Sequence, residues 1–202
     1  YAASINGISV MPAVSEALKD MPQLLKKMGS VDEIELNAPH LVSTFNKHWA
    51  AVASYMVAAF DARKRKQLDP RLLHWADTGD GMGLHDYLQA RLQRDVIGAY
   101  FKSLLDTYDV IITPATAMTA FDAGQNMPLD AKGKPWQDWT PFTYPANLAK
   151  LPAAAVPVGL SKEGLPVSLQ IMGGFLKDAL VLQTAKRLES AVAFKPWLST
   201  IS

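Results

Sequence analysis

The chain has no cysteine among its 202 residues, which excludes disulfides, thiol nucleophiles and thiolate-ligated zinc. It has no excess of either charge. Twenty basic side chains stand against 19 acidic ones, a formal net charge of +1, so no long-range field draws it to nucleic acid or to an anionic membrane surface. No apolar run approaches the roughly 20 residues that cross a bilayer, and no segment is expected to span a membrane. Glycine is sparse and scattered, 12 residues in all, with no Gly/Ser-rich stretch. Gly173-Gly174 has no adjacent serine, and no serine sits in the sharp glycine-flanked turn that exposes a nucleophile. A Ser-His-Asp triad assembled from distant positions stays open. The chain also opens without an initiator methionine, inside Ala2-Ala-Ser-Ile5, which reads as the tail of a strand rather than a targeting sequence. The expectation is the back half of a larger protein.

What is present is apolar material in ordered patterns. Hydrophobic residues make up 49% of the chain, enough to bury a sizeable core, and one domain over 1–202 is expected. Pro12 opens a helix with apolar positions Val14, Leu18, Leu25 and Met28, stopped by Gly29 and broken near Pro22. Val31–Leu36 alternates apolar and charged residues as a strand with one wet face does. Leu41–Lys66 reads as one long helix with a basic, solvated end at Arg63-Lys-Arg-Lys66.

Asp69–Gly83, with Gly79, Gly81 and Gly83, reads as a flexible connection. No strand precedes these glycines and no Lys-Ser/Thr follows, so they do not make a phosphate loop. Leu84, Leu88, Leu92, Val96, Tyr100 and Leu104 recur at every fourth position, a helix whose stripe is expected to face the core. Tyr108–Pro114 is a β-branched burst stopped by proline, a buried strand by composition. Ala153–Val158 and Pro166–Met172 are strands joined by a hairpin-sized turn, the small side chains of the first suggesting a closely packed neighbouring layer. Asp178 starts a last helix, with Leu180, Val181, Ala185, Leu188 and Val192 inward.

The connection after Pro114 holds Trp136, Trp139, Phe142 and Tyr144. Such a cluster either walls an apolar pocket or pins the loop to the core. His74, Asp77, Asp80 and His85 would meet only if the glycine loop folded back; a solvated loop is the expectation, and no metal is expected.

One stretch is more specific. Thr140-Pro-Phe-Thr-Tyr-Pro-Ala-Asn-Leu-Ala-Lys-Leu-Pro-Ala-Ala-Ala-Val-Pro-Val-Gly159, followed by Gly164-Leu-Pro-Val-Ser-Leu-Gln170-Ile-Met-Gly173, resembles the carboxy-terminal portion of the amidase-signature hydrolases. The resemblance extends more faintly to Ala90-Arg91 through Pro114. It implies an α/β fold: a mixed sheet flanked by helices, the C-terminal part of an amidase-signature fold. It also implies amide C–N cleavage by a Ser, a second Ser in a cis peptide and a Lys, none of which is recognisable here. The cleft rim would be Thr113 and Pro114 at a strand end, with Trp139, Thr140, Phe142 and Asn147 beside it.

Two departures from that pattern stand out. After Asn147 the family has a hydroxyl residue and then Gly, where this chain has Ala149 and Lys150; a different turn or a roomier site is expected, since Gly permits positive φ. The glutaminase members carry an Asp where this chain has Thr140, which counts against glutamine as substrate. The leading expectation is the cleft-forming part of a cytoplasmic amidase, with no cofactor. Its partners would be a small-molecule amide and the missing N-terminal half, with no nucleic acid and no membrane, and a homo-oligomer left open. The alternatives are a non-catalytic interaction module of the same fold and the glutaminase subunit of a tRNA-dependent amidotransferase.

Overall fold

The computed structural model describes residues 1–125, 127–129 and 139–194. Its centre is a three-stranded sheet in the order β3-β5-β4, formed by β3 (Val110–Pro114), β4 (Ala153–Leu160) and β5 (Pro166–Gly173). Both pairings are antiparallel. Among the described residues, the parallel contact is an isolated bridge between Ile5 and Leu36. The β4–β5 turn closes around Ser161, whose Oγ accepts from the backbone N–H groups of Glu163 and Leu165. Gly164 there has φ +80°, a conformation that glycine adopts without a Cβ clash.

Period-two alternation sorts the strand residues onto two faces. On one, Ile112, Val156, Val158, Val167, Leu169 and Ile171 pack under three helices: α1 (Pro12–Leu18), α2 (Met21–Met28) and α8 (Asp178–Val192). On the other, Ile111 and Met172 pack with Ile97 and Phe101 of α6 (Leu84–Thr107) and with Phe142, Tyr144 and Leu148 around α7 (Tyr144–Ala149). The sheet flanked by helices is thus the expected one. The break between α1 and α2 and the stop at Gly29 fall where the prolines and glycine place them.

Several local expectations are corrected. Val31–Leu36 is not a strand: its ties are Ile34 N–H to Tyr1 O and Leu36 O to Asn6 N–H. The neighbouring hairpin strands β1 (Ser4–Ile5) and β2 (Ile8–Ser9) are two residues each, too short to support a ladder. The single helix over Leu41–Lys66 is two, α3 (Leu41–Ala58) and α4 (Ala62–Arg65), because the Asp61 carboxylate accepts from Lys64 N–H and caps a fresh start.

The loop over Asp69–Gly83 is largely a helix, α5 (Pro70–Asp80): Asp69 accepts from Arg71 N–H, and Pro70 fills a first-turn position that needs no donor. Gly79 is a packing glycine, since a Cβ there would overlap the Ala50 carbonyl of α3. The regular stripe on α6 meets the core only at its far end, where Tyr100 and Leu104 pack against it. Leu84 is 74% and Leu92 68% exposed, while Ala90, Ile97 and Phe101 are the buried residues. Steps of four advance about 40° per repeat on a 3.6-residue helix, so the stripe winds off the face that touches the sheet. The alanines of β4 also differ from expectation: Ala153 and Ala155 lie exposed, with no described element covering them.

Candidate active-site cleft

The polar centre of the sheet is Gln170, in the middle of the apolar run Leu169-Gln-Ile171 on β5 and 6% exposed. A buried amide is costly unless its hydrogen bonds are made. Its Nε2 donates to the Phe142 carbonyl at 2.7 Å and lies 3.5 Å from Thr113 Oγ1. Thr113 pairs with Gln170 across the strands and donates to the Pro114 carbonyl at 2.9 Å. Gln170 thus ties the end of β3 to the segment ahead of α7. These groups share the sheet face on which Ala153, Ala155 and Pro157 stand exposed, leaving a shallow floor of small side chains beside a buried polar row.

The segment leading into α7 forms the margin of that floor. The Trp139 carbonyl accepts from Ala117 N–H at 3.0 Å, and its half-buried ring meets Phe121 edge to face, centroids 5.5 Å apart. Thr140 closes a turn, its carbonyl accepting from both N–H and Oγ1 of Thr143, and its Oγ1 lies 3.4 Å from the Tyr144 hydroxyl. Phe142 is fully buried in the core. Asn147 is exposed on α7 and donates from Nδ2 to the Thr143 carbonyl at 2.9 Å. Tyr144 stacks on Phe45 of α3 at 4.0 Å, and Phe45 in turn lies parallel to Trp49 at 6.3 Å.

The far end of α7 is pinned from α6, where Arg94 Nε donates to the Leu148 carbonyl at 2.7 Å. Lys150 then takes the left-handed conformation, φ 55°, with its N–H on Ala146 O. The turn is therefore the one a glycine would make, and Lys150 adopts it despite a steric cost of about 1 kcal/mol. His48 of α3 lies 3.3 Å from the Ala90 carbonyl through Nε2. Burial holds its pKa below the ordinary value; the Ala90 hydrogen bond opposes this, and Arg94 and Arg91 add to the lowering. Among the described residues no three His, Asp or Glu side chains gather as metal ligands.

The structure therefore brings Thr113, Trp139, Thr140 and Phe142 to one side of the sheet, with Phe142 beneath the surface and Asn147 facing solvent on the adjoining helix, whereas Pro114 pairs with Leu169 and belongs to the opposite face. Trp136 lies outside the described residues. Sequence reasoning assigned no role to Gln170, Arg94 or the Phe45–Tyr144 stack. For Gln170 a signal existed, since a lone amide in an apolar strand demands a partner. For Phe45, about a hundred positions from Tyr144, there was none.

The Amidase family model matches residues 1–182, and the chain belongs to that family. It is 31% identical over 188 residues to a fatty acid amide hydrolase of Medicago truncatula, covering 87% of this chain and 30% of that protein. It is 41% identical over 108 residues to a glutamyl-tRNA(Gln) amidotransferase subunit of Rhodospirillum rubrum, covering 54% and 21%. A bacterial aryl acylamidase of the amidase-signature family shares its fold, with a TM-score of 0.78 at 20% identity over 98% of this chain and 44% of that one. The chain thus spans less than half the length of these relatives. No helix among the described residues is long and apolar enough to cross a membrane.

Proposed function

We propose that residues 1–202 form the substrate-cleft wall and sheet support of an amidase that hydrolyses carboxylic amide C–N bonds through an acyl-enzyme. The observation that carries this reading is the bare floor at Ala153, Ala155 and Pro157 beside the buried Thr113–Gln170 row, in a chain that belongs to the Amidase family over residues 1–182. The nucleophilic serine, its bridging serine and a lysine base come from outside this segment. Serine oxygen adds to the amide carbonyl while its proton passes to the lysine; the tetrahedral adduct expels the amine, which takes up that proton. Water then cleaves the acyl ester and regenerates the serine. The lysine acts as base only where burial and neighbours lower its pKa toward working pH.

In this reading Trp139 and Thr140 line the cleft at the rim set by Thr113 and Pro114. Phe142 supports the rim from beneath, and Asn147 holds the turn that presents it. A glutamine substrate is the second reading: Thr140 opposes it, and the 41% identity to a glutamyl-tRNA(Gln) amidotransferase component favours it. The test is made on the full-length protein. It should release amine from a simple anilide and take up a fluorophosphonate at one serine outside residues 1–202. Labelling at a serine within 1–202 would refute the assignment, and glutamine turned over in preference to anilides would establish the second reading.

A further inference from the structure

The end of α7 away from Thr140 opens onto a separate cavity of about 380 Å³, lined by Tyr87, Arg91, Arg94, Gly98, Leu148 and Lys150 together with Ala149 and the single carboxylate Asp95. Three cationic residues line it, Arg94 half-buried and Arg91 and Lys150 exposed. Among the described residues none of them forms an ion pair, and neither does Asp95. Arg94 uses Nε on the Leu148 carbonyl, which fixes the guanidinium in place and leaves its two terminal nitrogens without a partner among the described residues. Lys150 enters the cavity wall from a left-handed backbone position, where glycine would be the easier residue. Gly98 sits in the middle of α6, where glycine costs about 1 kcal/mol against alanine. A Cβ built on it meets nothing within 4 Å, so no packed neighbour requires the glycine there. The charges of Arg94 and Arg91 also reach His48, partly opposed by Asp95.

Three cationic side chains face a single carboxylate there, and an anion seated among them relieves the repulsion that Asp95 leaves uncompensated. An ordered guanidinium is the side chain best suited to grip an oxyanion through paired N–H groups. We infer that this cavity binds a small oxyanion, with Arg94 as the fixed donor and Arg91 and Lys150 closing on it from either side. A phosphate and a carboxylate share the chemistry required, and the experiment separates them.

Titration calorimetry of the full-length protein with inorganic phosphate, and separately with acetate, tests the site. Saturable heat is expected with at least one of the two anions. Lys150→Gly and Arg91→Gln should each weaken that binding about 10-fold, the effect of removing one charge-assisted contact. Lys150→Gly leaves the fold intact because glycine suits its φ, so its unfolding temperature should equal or exceed that of the wild type. The anion that binds more tightly identifies the ligand class. No saturable heat with either anion, or wild-type affinity in both variants, overturns the proposal.

Discussion

The strand Val110–Pro114 and the helix Leu84–Thr107 just before it both carry regular apolar patterns, yet their side chains end in opposite places. Ile111, Ile112 and Thr113 are buried between two layers of helices, while Leu84, Leu88, Leu92 and Val96 stand in solvent. A strand between two helical layers has both faces committed, so any apolar residue on it finds cover. A helix packed on one side has a face left over. Periodicity reports that an apolar face exists, and the neighbours decide whether anything covers it. The same contrast divides β4: Val156 and Val158 lie under α1 and α8, and Ala153 and Ala155 on the opposite face lie bare. In the proposed reading that bare face is the cleft floor.

The contrast is sharpest in energetic terms. Phe142→Ala should cost about 3–5 kcal/mol of stability, the usual loss for a buried aromatic that leaves a cavity. Leu88→Ala on the exposed stripe should cost less than about 0.5 kcal/mol. Urea unfolding of the full-length protein measures both, and a loss at Leu88 comparable with that at Phe142 would show the stripe to be covered by another part of the protein.

Two glycines give a smaller and opposite pair. Gly79→Ala drives a methyl into the Ala50 carbonyl and should destabilise by about 1–3 kcal/mol as α5 is pushed off α3. Gly98→Ala meets no neighbour and should stabilise by up to about 1 kcal/mol through helix propensity. Thermal unfolding midpoints moving in opposite directions check the pair. A loss at Gly98 would mean that the cavity beside it is filled in solution.

These residues also mark what was legible in the sequence. The three strands of the central sheet, the α1–α2 break just ahead of Pro22 and the last helix were readable because each is set by local rules: alternation, proline position and an apolar face with one partner layer. Asp69-Pro70 held a readable helix start, but three glycines downstream suggested a loop, and the reason for Gly79 lies on α3, 29 positions away. Likewise, Asp61 interrupts an apparently continuous helix through one cap. In the cleft region, the Pro- and Asn-containing segment and the Thr-Pro strand end were legible from resemblance. The role of Gln170 depends on a carbonyl 28 residues away, and the stack of Phe45 on Tyr144 depends on tertiary packing alone. Lys150 at a glycine position suggested a changed turn; the backbone kept the turn and absorbed the strain.

The central claim, that this segment walls an amide-binding cleft, is tested most directly by the size selectivity of Trp139→Ala in the full-length enzyme. Trp139 is half-buried on the margin of the floor, so its loss should remove apolar contact only from substrates large enough to reach it. The account predicts that kcat/KM for bulky aryl amides falls about 10-fold or more relative to small aliphatic amides, with little change in unfolding midpoint. An equal fall on small and large amides, accompanied by a lower midpoint, would assign Trp139 to the core and contradict the cleft.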